Sequence, residues 1–153
     1  MSDKAIRNIC ANRKARFEYE ITETYEAGMV LLGSEVKSLR DGRAHLSEAW
    51  VKLDANQEAW LMQAHIAPYV WAHQFNHEPA RPRKLLLNRS ELNRLWGKVR
   101  EKGLTLVPLS MYFKDGRAKV EFGLGKGKKL HDKRQDLKEA DAKRDMDRAM
   151  RRR

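Results

Sequence analysis

Residues 126–153 most constrain what this chain of 153 residues folds into, because they cannot contribute to a core. They hold twelve Lys or Arg and six Asp or Glu, a net of +6, and end in Arg151, Arg152 and Arg153. Taken as a helix at about 100° per residue, Lys133, Arg134, Arg144 and Arg148 gather on the Leu130–Leu137 line. Asp132, Asp136, Glu139 and Asp147 lie on the other side. Leu130, Leu137 and Ala140 point one way; Ala142, Met146, Ala149 and Met150 point another. With no continuous apolar stripe, nothing binds the segment to a body. Like-charge i, i+4 pairs such as Arg134/Lys138 and Arg144/Arg148 each cost an isolated helix about 0.2–0.5 kcal/mol. We therefore expect a basic tail over 126–153, disordered alone and helical when laid along a polyanion, with a flexible exit at the glycines 123, 125 and 127. The fold must come from residues 1–125.

That body reads as strands. "RFEYEIT" (16–22) alternates Phe17, Tyr19 and Ile21 with charge, the period of a half-buried strand. "EAG" ends it, and "MVLLG" (29–33) reads as a second strand. Ser34 caps a short helix that turns Val36 and Leu39 inward and stops at Gly42. Residues 49–69 predict a hairpin around Ala55–Asn56–Gln57. "NHEPARPRK" (76–84) reads as an irregular basic loop before a strand at "KLLLN". In 90–103, Leu92, Leu95, Trp96 and Val99 recur at helical spacing between Ser90 and Gly103. "LTLVPLSMYF" and "AKVEFGL" flank Lys114–Asp115–Gly116, a hairpin turn. The sum is a mainly β fold: a small antiparallel OB-like β-barrel with two or three short flanking α-helices.

The net charge of +11 points to a polyanionic partner, nucleic acid before an anionic membrane. Cys10 is the single cysteine, so no intramolecular disulfide forms. No leader pattern and no run of about 20 apolar residues occurs, so the expectation is a soluble, cytoplasmic protein with no membrane partner.

Enzyme motifs do not assemble. His45 and Glu48 stand three apart, but no nucleophile or second histidine is tied to them. His73 and His77 at i, i+4 lack the further ligands of a metal site. "GLGKGK" (123–128) lacks phosphate-loop spacing. No catalysis, cofactor or metal is expected, and each of these histidines should be dispensable. Nucleic-acid binding is better supported. Cations interleave with apolar and aromatic residues in "KARFEY", "YFKDGRAKVEF" and "RPRKLLLN", where Arg81, Arg83 and Lys84 are candidate phosphate contacts. The aromatics themselves read as mostly core.

Four segments together resemble one bacterial family: "NRKARFEYEI" (12–21), "YEAGMVLLGSEVKSLRDGRAHL" (25–46), "RPRKLLLNRSEL" (81–92) and "GLTLVPLSMYFKDGRAKVEFGLGKGKKLHDKR" (103–134). The chain is similar to the SsrA-binding protein family, small protein B. The resemblance implies a non-enzymatic RNA-binding barrel. It would hold the tRNA-like domain of transfer-messenger RNA and deliver it, with elongation factor Tu, to the stalled 70S ribosome. The tail would then enter the vacant mRNA channel along 16S rRNA. By the same resemblance, RNA contacts fall on Glu26, Leu86 and Lys119. The tail's motif falls on Asp132, Lys133 and Arg134, with His131 before it and Lys128 and Lys129 at the tail's start. The chain departs from the family pattern at Phe17, where histidine is common, and at Ala140 and Ala142, where many members carry arginine and tryptophan. The competing classes are a basic structural protein on rRNA or the nucleoid, and a small ribonuclease.

Overall fold

The computed structural model describes residues 6–72, 76–100, 104–127, 137–138 and 140–146. His73, Gly103, Lys128, Lys129, His131, Asp132, Lys133 and Arg134 lie outside the described residues. In chain order the elements are β1 (Ile6–Ala11), α1 (Ala15–Glu18), β2 (Tyr19–Met29), α2 (Gly33–Arg40), β3 (Ala44–His45), β4 (Trp50–Leu53), β5 (Ala59–Met62), β6 (His65–Ile66), β7 (Arg83–Leu86), α3 (Arg89–Val99), β8 (Leu104–Lys114) and β9 (Arg117–Gly127).

Seven strands form one antiparallel sheet in the order β1-β8-β9-β2-β7-β5-β4, and β3 pairs with β6. The sheet curls without closing, with β1 and β4 as its two edges. Three short helices flank it, matching the expected mainly β, OB-like architecture. Leu39, Leu61, Ile66, Leu95, Met111, Val120 and Phe122 fill the interior, drawn from both arms of the sheet and from two helices.

The strongest local patterns hold. The Asp115–Gly116 turn has φ of 52° and 77°, and Lys114 pairs with Arg117 across it, as a two-residue hairpin requires. Gly42, at φ 70°, ends α2. Its N–H reaches Leu39 O, and that of Arg43 reaches Ser38 O, satisfying the last carbonyls of the helix. A hairpin of β4 and β5 stands within the expected 49–69, and the apolar stripe of α3 is where periodicity put it, but the helix begins at Arg89 with Asn88, not Ser90, at its N-cap.

Other readings are corrected. Phe17 lies in the single turn α1, so the alternating strand begins at Tyr19. It then runs unbroken through "EAG" to Met29, because Gly28 and Met29 pair with Leu86 and Leu85 of β7. Ser34 does not cap α2. Its Oγ pairs at 2.9 Å with Nδ1 of buried His77, whose Nε2 meets Ile66 O at 2.9 Å. His77 is thus a packed structural histidine. Leu32 precedes the helix instead, and its N–H donates to Glu35 Oε1 at 2.8 Å, one arm of a capping box.

The reading of Gly123 and Gly125 as a flexible exit is also overturned. Both lie in β9, paired across from Thr24 and Ile21. A Cβ on Gly123 would sit 2.6 Å from Ile21 Cγ2, and one on Gly125 would sit 2.9 Å from Ile21 Cδ1 and 3.1 Å from Glu20 O. These glycines let β2 and the Ile21 side chain close down on β9. The strand also continues through Gly127, two residues past the expected boundary.

The largest wholly buried side chain is charged. Arg83, expected on the surface, is fully buried. Its guanidinium meets Glu35 at 2.5 Å and donates to Ala64 O at 2.6 Å and Pro79 O at 3.0 Å. Arg81 donates to the other Glu35 oxygen at 2.6 Å. Burial by itself would raise the Glu35 carboxyl. The bonds from Arg81 and the Leu32 N–H, with the charge and hydrogen bond of Arg83, outweigh it and hold the carboxyl below its ordinary 4.5.

Two stability outcomes are expected. Gly123→Ala and Gly125→Ala should each lower unfolding stability by about 1–3 kcal/mol in urea denaturation, because a methyl group is forced into a filled space. Glu35→Gln should cost about 3–5 kcal/mol at neutral pH, since Arg83 keeps its charge and loses its counter-ion. A depressed carboxyl stabilises the fold above its unfolded value and loses that effect as pH falls through the folded one. The gap between the native chain and Glu35→Gln should therefore narrow as pH drops below 4.5. A gap that stays constant down to acid pH would exclude Glu35 as the source.

Candidate nucleic-acid interface

The register of the sheet brings distant residues into one row. Gly28 of β2 pairs with Leu86 of β7 on one side and with Lys119 of β9 on the other. Lys119 in turn pairs with Tyr112 of β8. Glu26, two residues before Gly28, shares its face because side chains alternate along a strand. Positions 26, 86 and 119, far apart in sequence, are thus neighbours on three adjacent strands.

Gly28 is the low point of this row. A Cβ built on it would lie 3.5 Å from both Cβ and Cδ1 of Leu86 and 3.7 Å from the Lys119 Nζ. The leucine leans over the glycine from one side and the ammonium from the other. Leu86 is 54% exposed, an unusual state for a leucine in an inner strand. A hollow of about 350 Å³ opens here, with Gly28, Leu31, Val36, Leu86, Phe113 and Lys119 in its walls. Beside it, a second hollow of about 380 Å³ is lined by Glu26, Lys114, Asp115, Arg117 and Lys119.

Glu26 organises the polar half. Tyr112 Oη donates to Glu26 Oε2, and Lys114 Nζ lies 3.3 Å from both carboxylate oxygens. The bond from Tyr112, then those from Lys114 and the charge of Lys119, hold the Glu26 carboxyl below its ordinary value despite partial desolvation. Burial and the same bond push the Tyr112 phenol up. The site therefore offers a fixed carboxylate acceptor among three cations, with an apolar platform alongside. Such a surface can accept from a hydroxyl or base amine, pair with phosphates and pack against a sugar or base.

Among the other candidates, Lys84 is partly exposed in β7 and lies 3.5 Å from Glu58. Arg81 is 30% exposed at the side chain and committed to Glu35. Arg83 is withdrawn from the surface altogether, because its charge is neutralised inside the fold. Sequence reading missed Gly28, and singled out Tyr112, Lys114 and Arg117 only as part of the basic–aromatic run "YFKDGRAKVEF". Lys114 and Arg117 flank the expected hairpin turn, which was the available signal. Tyr112 and Gly28 belong to the site only through register.

The other chemistries gain no support. His45 Nδ1 is 3.1 Å from Ser47 Oγ, and its ring stacks on His65 at 4.6 Å. Burial, then the charge of His45, holds His65 below the usual histidine range. Among the described residues no group of three His, Cys, Asp or Glu side chains is placed to hold a metal. No described helix is long and apolar enough to cross a membrane. In the tail, 137–138 and 140–146 are helical and exposed throughout, with an Arg144–Asp141 pair at 2.8 Å.

A model of the SmpB protein family matches residues 9–152. A relative described as SsrA-binding protein, from Desulforudis audaxviator, is 57% identical over 151 residues, covering 99% of this chain and 98% of its own. Another, from Thermosynechococcus vestitus, is 55% identical over 150 residues, covering 97% and 98%. A solved chain from work described as "tmRNA-SmpB: a journey to the center of the bacterial ribosome" superposes with a TM-score of 0.66 at 51% identity, over 78% of this chain and 84% of that one. With the family model spanning body and tail alike, the chain belongs to the SmpB protein family.

Proposed function

We propose that this protein is a non-enzymatic adaptor for ribosome rescue. It binds the tRNA-like part of transfer-messenger RNA through the Glu26–Leu86–Lys119 face and delivers it, in a complex with elongation factor Tu, to stalled ribosomes. The observation that carries this reading is the convergence of those three residues around Gly28. An exposed leucine, an ionised glutamate and a lysine from three adjacent strands make little sense as core and good sense as a preformed RNA-binding face. Lys84, and Arg81 in part, lie at the margin of the face and add long-range attraction.

The tail performs the second task. Its helical projection shows no continuous apolar stripe, and its described residues, 137–138 and 140–146, are exposed. An isolated helix this short is marginal in water, so its ordering is favoured where rRNA phosphates line its path. An mRNA channel still holding a message excludes it; a vacant one admits Lys128, Lys129, His131, Asp132, Lys133 and Arg134. Sensing an empty channel then reduces to competition for space and phosphate.

Two measurements test the two halves. Lys119→Glu removes a phosphate partner and adds repulsion, so affinity for the tRNA-like RNA should fall by about tenfold to a hundredfold, as one specific interaction of about 1–3 kcal/mol implies. Leu86→Asn should weaken binding about fivefold through reduced packing. Both variants should keep the native melting temperature. If both bind like the native protein, the face is elsewhere.

Truncation after Gly127, or alanine at Asp132, Lys133 and Arg134 together, should leave RNA affinity unchanged and abolish peptide tagging on ribosomes carrying a truncated message. Each charge-assisted bond from the tail to rRNA is worth about 1.5–3 kcal/mol, so removing several empties the channel. If the tail variants lose RNA binding and tagging together, the tail is part of the RNA grip and the channel mechanism fails.

A further inference from the structure

α3 carries a feature that the fold does not use. Its inner side is Leu92, Leu95 and Val99, with Leu95 fully buried. At about 100° per residue, Gly97 then points directly outward with Asn93 beside it, and Arg89, Trp96 and Arg100 form one flank. Arg89, Asn93, Gly97 and Arg100 are exposed and Trp96 is half-buried. The Arg100 guanidinium stands over the Trp96 ring, 5.9 Å from its centroid.

Gly97 is the anomaly. Glycine is the poorest helix former after proline, and this one stands inside the helix at an exposed position. A Cβ there would meet nothing within 4 Å, so no packing inside this protein requires its absence. The missing side chain makes sense if something outside comes close to the helix backbone. The described groups on this side say what: two arginines, an asparagine and a tryptophan, while the one acid of α3, Glu91, lies on the opposite flank. The ion pairs of this region run Lys84–Glu58 and Lys98–Glu23, so among the described residues Arg89 and Arg100 stand outside them.

The helix is also continuous with the face already described. Arg89 follows Leu86 by three residues, and a hollow of about 360 Å³ lined by Asn56, Lys84, Leu86, Asn88 and Arg89 joins the two. From there α3 runs to Lys98, which pairs with Glu23 at the far part of β2. A strand rises about 3.3 Å per residue, so Glu23 is roughly 17 Å along β2 from Gly28. A polynucleotide gripped at the Gly28 row therefore meets a second set of donors along the helix.

We propose that Arg89, Asn93, Trp96 and Arg100, with the bare backbone at Gly97, form a phosphate-binding track that extends the RNA face along α3 and holds the same transfer-messenger RNA. This rests on the adaptor reading and deepens it. The arginines neutralise phosphates, Asn93 donates to phosphate or sugar oxygens, and the absence of a side chain at 97 lets the RNA backbone approach.

The test separates stability from binding. In the full-length protein, Gly97→Ala should raise the melting temperature by about 2–4 °C, because a better helix former enters open space. It should nevertheless weaken binding to an in vitro transcribed tRNA-like domain about fivefold. Arg89→Ala combined with Arg100→Ala should leave the melting temperature unchanged. It should also flatten the plot of log affinity against log salt by nearly two units, the signature of two phosphates no longer neutralised. Should Gly97→Ala be stabilised and still bind as the native protein does, or the double variant keep the native salt slope, the track is wrong. Lys119→Glu, measured beside them, isolates the failure. If it alone loses binding, the main face stands without the track; if it too binds normally, the adaptor reading itself falls.

Discussion

The buried ion pair between Glu35 and Arg83 governs how the body is assembled. Two opposite charges are taken wholly out of water, and each remaining polar atom of the arginine is answered: Ala64 O and Pro79 O accept from it, while Arg81 and the Leu32 N–H satisfy the glutamate. Removing either partner would strand a charge in the interior, so the elements carrying them cannot slide apart. The pair ties the first turn of α2 to the start of β7 and to the connection that leads there. His77, bridging Ser34 and Ile66 O, holds the same region from the side. Once Arg83 is pinned inward, strand alternation directs Leu86, three residues on, to the outside. The exposed leucine of the proposed RNA face is therefore a consequence of the buried arginine.

A second constraint acts from the other flank. β2 and β9 approach so closely at Ile21 that only glycine fits at 123 and 125. That close approach, continued through the register to Gly28 and Lys119, sets where the lysine emerges. The face is thus located by two internal devices, an ion pair and a close backbone approach, neither of which touches RNA in the reading proposed here. Glu26 then needs only Tyr112 and Lys114 to fix its charge and direction. Its preorganisation lowers the ordering cost of binding.

Charge is divided by task. In the body, several cations are held against carboxylates and carbonyls, among them Arg7, Arg81, Arg83, Lys98 and Lys114. In the tail, the Arg144–Asp141 pair is local and exposed, and the described helix is exposed on every side. A rigid body with a preformed face suits recognition of one folded RNA. An exposed tail helix suits the proposed duty, which begins only when an external path becomes available.

Local chemistry made part of this legible. The Asp115–Gly116 turn, the Gly42 stop, the 50–62 hairpin and the apolar stripe of α3 follow from propensity and period, and these are set within a few residues of chain. That residues 126–153 show no continuous apolar stripe in helical projection is equally local, since it follows from the order of their own residues. Glu26, Leu86 and Lys119 are identified through family resemblance rather than physics, and the reason is geometric. What makes them one site is the pairing of β2 with β7 and β9, which no local window contains. Arg83 shows the same limit from the other direction. In "RPRKLLLN" it looks like any surface cation, and only the arrival of Glu35 from 48 residues away makes burying it tolerable. Gly123 and Gly125 look like slack in the sequence and are tightly packed in the fold, because the side chain that excludes a Cβ is Ile21, about a hundred residues earlier. Turns, pairing segments and the lack of an apolar stripe in the tail are thus written in the order of neighbouring residues. Which charges are buried, which glycines bear on a neighbour and which distant residues share a face are settled only when the chain closes on itself, because each depends on a partner that arrives from far along the sequence.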